Sequence, residues 1–228
     1  MLAVKGVTFG VKRGEVFTLL GVNGAGKSST FKCLVGVEKL SCGKIVLDNT
    51  DLAQLNGDPE KLHGLVGYCP QTDCIEPNLT VTESLTLFAE LAGFKTDDIP
   101  QITNEFIVRF ALGMFAKTKA GQLSGGNKRK LCCAMAMIGS PKVVFIDEAT
   151  TGVDPASRQI IWQGIRYASR NSATVYTTHA MEEAEAISNK LTVMVKGRFK
   201  CYGSLIDIKK KFGEGFEIFL NMNLESIN

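Results

Sequence analysis

The stretch "GVNGAGKS" at residues 21–28 constrains the fold more than any other part of the chain. It fits the pattern G-x-x-x-x-G-K-[ST] in full, follows the apolar run "EVFTLL" (15–20) and precedes a segment with helical periodicity. Between a strand and a helix, such glycines let the backbone curl around an anion with successive N–H groups pointing inward. The stretch therefore predicts a phosphate-binding loop, and the alternative is a glycine-rich turn with a surface lysine.

Two side chains of this loop have separate expected tasks. Lys27 is expected to reach the outer phosphates, and Ser28 to offer its hydroxyl to Mg²⁺. A dinucleotide-binding fingerprint is disfavoured, because Gly24-x-Gly26 is not followed by a glycine at position 29. The predicted binding residues are Gly21, Asn23, Gly24, Ala25, Gly26, Lys27, Ser28 and Ser29.

Further apolar runs predict a parallel sheet. "VVFID" (143–147), "ATVYTT" (173–178) and "LTVMV" (191–195) have no polar face, which is typical of strands covered on both sides. Segments with helical spacing lie between them, so strands and helices alternate and the fold class is α/β. From "YCPQTD" (68–73) to Pro141 helical patterns dominate. We expect a helical lobe at about 76–139, inserted into a core formed by 1–75 and 140–228.

Composition excludes several classes of protein. A net charge of +3 with interspersed acids and bases gives no reason to expect a nucleic-acid partner. The seven cysteines form no C-x-x-C pair and there are only two histidines, so a zinc site is disfavoured. No apolar run approaches the roughly 20 residues of a membrane span, and the first residues are too charged for a signal peptide. The expectation is a chain of a reducing, cytosolic compartment that is soluble by itself.

Two acids follow directly after one of the predicted strands. In "VVFIDEA" (143–149), Asp147 stands at the carboxyl end of the strand, where it can hold Mg²⁺, and Glu148 comes next. Glu148 is then suitably placed to polarise a water molecule that attacks the terminal phosphate. The alternative is a strand whose terminal acids cap the next turn.

Weaker signals come from two other strand ends. His179 follows "VYTT" and can contact a terminal phosphate or orient the attacking water, although it can equally be an ordinary loop residue. Gln71 follows the β-like run "LVGYCP" and can sense magnesium and water, or can simply be a turn residue.

The stretch "LSGGNKRK" (123–130) predicts a second helix N-terminus suited to an anion. Ser124 is at the N-cap position and Gly125 and Gly126 add no bulk, although ordinary helix capping explains the same residues. Guanine recognition through Asn-Lys-x-Asp is not supported, because Lys130 stands where the aspartate would be.

Taken together, "GVNGAGKSS", "YCPQTD", "LSGGNKRK", "VVFIDEATTGVD" and His179 resemble the nucleotide-binding cassette of ABC transporters. The resemblance implies a P-loop NTPase (RecA-like) core, with ATP and Mg²⁺ as ligands. It also implies two cassettes in head-to-tail contact, with Ser124, Gly125 and Gly126 serving the ATP of the partner. By the same resemblance Asp154 crosses that interface, and Gln71 contributes to magnesium binding and links the site to the transmembrane coupling helix. Asp147 is the magnesium-side acid, Glu148 the catalytic carboxylate and His179 the switch histidine.

Within that family the chain is most similar to the A-subfamily, particularly its second, C-terminal cassette. The residues that carry this likeness are "GYCPQTD", "GGNKRKL" and the tail "KGRFKCYGSL…KKKFGEGFEIFL". It implies transmembrane domains as partners, a cytosolic cassette and a lipid or other hydrophobic cargo. Two alternatives stay open: a soluble ABC ATPase without a membrane partner, and a regulatory cassette that binds ATP with little turnover.

Three departures from the family pattern stand out, the smallest of which is Val153 in place of the commoner leucine or methionine. Ala149 occupies a position usually taken by proline, which would loosen the turn after Glu148. No tyrosine precedes Gly21 to stack on adenine, and Phe9 falls at a core position. The chain thus resembles a cassette trimmed at its N-terminus, without the aromatic residue that the family pattern places against adenine.

Overall fold

The computed structural model describes residues 2–55 and 64–212, apart from the side chains of residues 54, 55 and 212. Within these ranges the chain forms eight strands and seven α-helices. The strands are β1 (Val16–Leu20), β2 (Val46–Leu47), β3 (Thr50–Asp51), β4 (Val66–Cys69), β5 (Val143–Asp147), β6 (Ala173–Thr178), β7 (Lys190–Val195) and β8 (Arg198–Gly203). The helices are α1 (Lys27–Leu34), α2 (Val81–Leu91), α3 (Ile99–Arg109), α4 (Gly125–Met137), α5 (Pro155–Ala168), α6 (Met181–Ile187) and α7 (Leu205–Phe212).

Six of these strands form one sheet in the order β4-β5-β6-β1-β7-β8. All neighbouring pairs are parallel except β7 and β8, which are antiparallel with an irregularity between Val193 and Met194. β1 is central, since it pairs with β6 on one side and β7 on the other. The four strands expected from apolar runs are all present, as β1, β5, β6 and β7, and the α/β fold class is confirmed.

The sheet is covered on both faces, as the sequence predicted. Successive side chains of a strand point to opposite faces, and in β5 Val144 and Ile146 join one buried apolar cluster while Val143 and Phe145 join another. The second cluster includes Phe31 of α1 and the partly buried Phe9. Phe9 stacks on the Phe17 ring at a centroid distance of 4.9 Å, so its expected core position is confirmed.

The helices α2, α3 and α4 lie in the segment between β4 and β5. α2 begins with a capping box: Thr80 Oγ1 accepts from the Glu83 N–H, and a Glu83 carboxylate oxygen accepts from the Thr80 N–H at 2.7 Å. Pro100 lies in the first turn of α3, where a missing N–H costs nothing. The division into a core and an inserted lobe at 76–139 stays a prediction.

Three strands were not predicted. The short β2–β3 ribbon and β8, at the sheet edge, lack the continuous apolar runs of the central strands. The last part of the tail used for the A-subfamily resemblance, residues 213–220, lies outside the described residues. No helix in the described residues combines the length and apolar character that a membrane span needs.

Candidate active site

The glycine-rich loop joins β1 to α1 in a tight turn. The Ala25 N–H donates to the Val22 carbonyl at 3.1 Å, and Gly26, at the N-cap of α1, has φ 109°. A Cβ at Gly26 would lie 2.9 Å from the Ala3 carbonyl oxygen, so both conformation and space require glycine there. The backbone near Ala3 therefore packs against the loop, and this contact together with the Ala25–Val22 hydrogen bond restricts the loop to one conformation.

Free N–H groups and a buried ammonium make this loop suitable for phosphate. Within the described part of the chain, the N–H groups of residues 23, 24, 26, 27 and 28 donate to no protein acceptor. The Lys27 ammonium donates to the carbonyls of Gly21 at 2.7 Å and Val22 at 3.4 Å, which folds the lysine back over the loop. The Ser28 side chain, at the start of α1, is exposed. These donors are the kind that helix N-termini present to phosphate oxygens.

Asp147 and Glu148 stand at the carboxyl end of β5. The Thr177 hydroxyl donates to Asp147 Oδ1 at 2.5 Å. Burial raises the pKa of Asp147, and the Thr177 hydrogen bond opposes only part of that rise. Glu148 has φ 44°, in the left-handed region, a conformation that costs a non-glycine residue about 1–3 kcal/mol. Its N–H donates to both the carbonyl and the hydroxyl of Thr177.

Three predicted site residues converge on the carboxylate of Glu148. Lys27 Nζ lies 3.3 Å from Oε1, Gln71 Nε2 donates to Oε2 at 3.1 Å, and His179 Nδ1 lies 3.5 Å from Oε2. The Glu148 side chain is 8% exposed, whereas that of His179 is 48% exposed and faces solvent. The residues that meet at this buried carboxylate come from four separate motifs. Two of them, Lys27 and His179, are 152 positions apart in the sequence.

The "LSGG" residues form a second group with Asp154. Ser124 Oγ accepts from the Asn127 N–H at 3.4 Å, so Ser124 caps α4 as expected. A Cβ at Gly126 would lie 3.0 Å from Asp154 Oδ2, which places Asp154 beside this helix start. Within the described residues, the hydrogen bonds and ion pair of Lys27 reach Gly21, Val22 and Glu148 and do not reach the "LSGG" residues. The predicted residues therefore form two groups in one chain.

Arg129 and Glu183 were missed by sequence reasoning. Arg129 donates to the carbonyls of Ala149 at 2.8 Å and Asp147 at 3.0 Å. Glu183 accepts hydrogen bonds from the hydroxyls of Thr150, Tyr176 and Thr178. A signal was available in each case. Each charged residue is followed four positions later by an apolar residue, Cys133 after Arg129 and Ile187 after Glu183. Residues four apart share one face of a helix, and both of these pairs are buried.

The residues present fit a phosphate-bound Mg²⁺ better than an all-protein metal site. Among the described residues no cluster of three or more histidine, cysteine, aspartate or glutamate side chains could hold a metal. Mg²⁺ beside nucleotides typically takes one or two carboxylates together with phosphate oxygens and water. Asp147 and the exposed Ser28 hydroxyl supply oxygen ligands of that kind, whereas the Gln71 amide is bound to Glu148.

The parallel sheet with a phosphate-type loop after its central strand defines a P-loop NTPase fold. The family model described as ABC transporter matches residues 4–151. The chain belongs to the ABC transporter family.

Among known proteins, the chain is similar in sequence to members of the A-subfamily of ABC transporters. ATP-binding cassette sub-family A member 7 of Rattus norvegicus is 44% identical over 96% of this chain, and phospholipid-transporting ATPase ABCA7 of Homo sapiens is 42% identical over 97%. The chain spans 10% of the length of each of these relatives.

Solved structures confirm the fold. The ATP-binding subunit of an ABC transporter matches with a TM-score of 0.82 and 29% identity, covering 92% of this chain and 87% of the other. A dimeric bacterial ABC transporter cassette matches with a TM-score of 0.80 over 89% and 90% of the two chains. At 23% identity this second likeness concerns the fold alone. The predicted resemblance to the A-subfamily is confirmed, whereas which of its cassettes the chain corresponds to stays a prediction.

Proposed function

We propose that this chain binds and hydrolyses ATP as a cassette of an ABC transporter. The observation that carries the proposal is the convergence of Lys27, Gln71 and His179 on the buried carboxylate of Glu148. A phosphate-loop cation, an amide and an imidazole around one carboxylate are the groups needed to place a water molecule against a terminal phosphate. Family membership supports the same activity.

Each residue has a role in this proposal. The free N–H groups of the loop and Lys27 hold the phosphates, while Ser28 and Asp147 hold Mg²⁺, which neutralises charge on the phosphate oxygens when bound. Glu148 accepts a hydrogen bond from the attacking water and polarises it. Gln71 and His179, now bound to the same carboxylate, orient Glu148 and the water. Catalysis rests on position and charge, with no covalent intermediate on the protein.

The second group of residues supports a paired cassette as partner. Ser124 and Gly125 are exposed at the start of α4, and the ion pair of Lys27 lies elsewhere in the chain. Exposed N–H groups at the start of a helix attract an anion. A phosphate group of ATP bound to another copy of this chain, or to a different cassette, is an anion that could bind there. In this proposal Ser124, Gly125 and Gly126 contact the ATP held by the partner, and Asp154 lies at the interface beside them.

Transmembrane domains are the other proposed partner, with the cassette on the cytosolic side. A groove of about 540 Å³ runs between α2 and α3, lined by apolar and threonine side chains that include Ile99 and Ile107. The hydroxyl of Thr103 in this groove is buried without a hydrogen-bond partner among the described residues. Because the relatives are about ten times longer than this chain, we propose that a cytosolic loop of the membrane-spanning part occupies the groove. In a full-length transporter, Val108→Glu, at a groove residue that is 68% exposed, should then abolish transport while leaving ATP binding intact.

A hydrophobic cargo, and phospholipid in particular, is proposed from the relatives. The human relative is named a phospholipid-transporting ATPase, and so is the retinal-specific relative of Bos taurus, 42% identical over 96% of this chain. The chain would supply the energy for that movement, with closure around ATP and reopening after hydrolysis as the mechanical step.

The test is the Mg²⁺-dependent ATPase rate at increasing protein concentration, for the chain and for Glu148→Gln. We expect a rate per molecule that rises with concentration and falls by about 10²–10⁴-fold in the variant. Undiminished activity of Glu148→Gln would remove Glu148 from the mechanism. ATP binding without hydrolysis, at every concentration and after addition of a second cassette, would favour the regulatory alternative instead.

A further inference from the structure

We propose that Arg129 is a positioning residue for hydrolysis, which holds Glu148 in place and couples it to the "LSGG" helix of the same chain. This inference rests on the proposed ATPase function. Arg129 is the fifth residue of α4 and is 4% exposed. Its Nε and Nη2 groups donate to the carbonyls of Ala149 and Asp147, at 2.8 and 3.0 Å.

The two carbonyls bound by Arg129 flank Glu148 in the chain. The Asp147 carbonyl belongs to the peptide unit that sets φ of Glu148, and the Ala149 carbonyl belongs to the peptide unit that follows Ala149. One guanidinium thus restrains the chain directly before Glu148 and again one residue beyond it. That restraint matters because Glu148 has φ 44°, a conformation that a non-glycine residue keeps only where its surroundings impose it. Ala149, unlike proline, does not stiffen the turn by its own ring.

An arginine suits this task better than a lysine. The guanidinium is planar and offers its N–H groups in a fixed fork, so it can bind two carbonyls in one plane, whereas an ammonium is a point charge on a flexible stem. Burial of a cation is costly unless its donors are satisfied. Two of the Arg129 donors meet this need at backbone carbonyls, while Nη1 has no hydrogen-bond partner among the described residues. A buried arginine held in this way is a structural element and not a surface charge.

Arg129 also connects Glu148 to two parts of the chain that the proposed partners contact. It lies five residues after Ser124, the N-cap of the same helix, which is about 7.5 Å along the axis at 1.5 Å per residue. Its Nη1 lies 3.7 Å from Asp73 Oδ1, two residues after Gln71. A shift of about 0.5 Å would bring that pair into hydrogen-bond range. Movement of α4 or of the Gln71 segment thus changes the position of Glu148 through one side chain.

The variants to compare are Arg129→Gln, which removes the fork, and Arg129→Lys, which keeps the charge and can bind one carbonyl. Arg13→Gln is the control, since Arg13 Nε also donates to a backbone carbonyl, that of Asn171, but is exposed. Each is measured for kcat and KM of ATP hydrolysis, for melting temperature and for amide exchange of residues 148–151. The Arg129→Gln substitution is also introduced into the Glu148→Gln background.

We expect kcat to fall about 100-fold in Arg129→Gln with KM unchanged, the size of loss that a misplaced catalytic group causes. Arg129→Lys should be intermediate, and amide exchange should accelerate at 148–151. In the Glu148→Gln background the same substitution should cause no further loss, because Arg129 acts through Glu148. A kcat that stays within the range of the Arg13→Gln control, or an equal loss in both backgrounds, would overturn the inference.

Failure of the proposed function gives a different result. If the unmodified chain hydrolyses no ATP under any condition, the ATPase proposal fails, and amide exchange alone then decides whether Arg129 restrains the turn. Unchanged exchange at 148–151 in both Arg129 variants would overturn the inference in that case too. If Arg129→Gln does not fold, Arg129→Lys supplies the same comparisons.

Discussion

The ammonium of Lys27 lies 3.3 Å from Oε1 of Glu148, and both side chains are less than a tenth exposed. The cation proposed to hold the terminal phosphate and the carboxylate proposed to polarise the attacking water are thus bound to each other. Binding of a phosphate has to draw Lys27 toward the new anion. The same event leaves Glu148 with one donor fewer, so that Oε1 is free to accept a hydrogen bond from water.

Glu148→Gln should therefore bind ATP more tightly as well as hydrolyse it more slowly. The neutral amide releases Lys27 for the phosphates, and we expect a Kd about 3- to 10-fold lower, where tenfold corresponds to about 1.4 kcal/mol. Loss of a general base should lower kcat by about 10²–10⁴. Equilibrium binding of ATP and single-turnover hydrolysis measure the two effects, with Glu182→Gln, at an exposed position of α6, as control. Weaker binding in Glu148→Gln would show that the carboxylate assists rather than competes.

Gly125→Ala separates the stability of the isolated chain from its action on a partner. A Cβ at Gly125 meets no atom within 4 Å, and alanine is favoured over glycine in a helix by about 1 kcal/mol. We expect a melting temperature equal to or higher than that of the unmodified chain, with hydrolysis lost at all protein concentrations because the added methyl blocks the partner's phosphate. Unimpaired hydrolysis would argue against any phosphate contact at Gly125.

Asp147→Asn should stabilise the chain at neutral pH in the absence of nucleotide and Mg²⁺. Burial raises the pKa of Asp147, so the unfolded chain loses this proton at a lower pH than the folded chain. The group therefore lowers the free energy of unfolding as pH rises from the unfolded to the folded pKa, and the loss persists above it.

Melting curves of the two proteins across pH test this expectation. The variant should melt higher at pH 7, by about 2–4 °C for each kcal/mol, and the difference should shrink as pH falls toward about 4. A lower melting temperature at pH 7 would mean that the Thr177 hydroxyl needs an ionised acceptor more than burial penalises it. Mg²⁺-dependent hydrolysis should be lost in either case.

Glu183→Ala should destabilise the chain and slow hydrolysis together. The carboxylate accepts from Thr150, two residues after Glu148, and from Thr178, next to His179. Each buried hydroxyl left without a partner costs about 1–3 kcal/mol. Urea unfolding and kcat of Glu183→Ala, compared with Glu182→Ala on the exposed face, test the expectation. An unfolding midpoint equal to that of the control would show that water or another side chain replaces the carboxylate.

The cysteines should divide into two reactivity classes. Cys69, Cys132 and Cys133 are buried, whereas Cys42 and Cys74 are exposed. Burial raises the pKa of Cys132 to about 12. The hydrogen bond to Cys133, together with burial, raises the pKa of Cys69 well above its usual range. A thiol-reactive chromophore at pH 8 should label the exposed pair rapidly and the buried three only after unfolding, because only thiolates react. Rapid native labelling of Cys69 would reveal local opening of β4.

Short sequence patterns were sufficient to predict many residues of this site. The apolar runs identified β1, β5, β6 and β7, and the glycine pattern identified the phosphate loop because its chemistry lies within eight consecutive residues. Asp147 and Glu148 were found for the same reason, since they directly follow a strand.

The contacts that orient those residues could not be found in this way. The bond from Gln71 to Glu148 depends on β4 lying next to β5, and the Arg129 fork depends on how α4 packs against both. Apolar runs indicate that strands exist but do not determine their order in the sheet. Gln71 therefore had an ordinary turn as its alternative, and Arg129 had no assigned role although it lay inside a recognised motif.

The central position of β1 has a consequence for synthesis of the chain on the ribosome. β1 and the phosphate loop are made before β6 and β7, which begin at Ala173 and Lys190 and are the strands with which β1 pairs. The Gly197 N–H, which donates to the Ala25 carbonyl behind the loop, is made later still. Such distant pairings close long loops and form slowly. A nascent chain that ends before residue 190 should hence carry the complete phosphate-loop sequence without nucleotide affinity, so that ATP cannot capture a half-made protein.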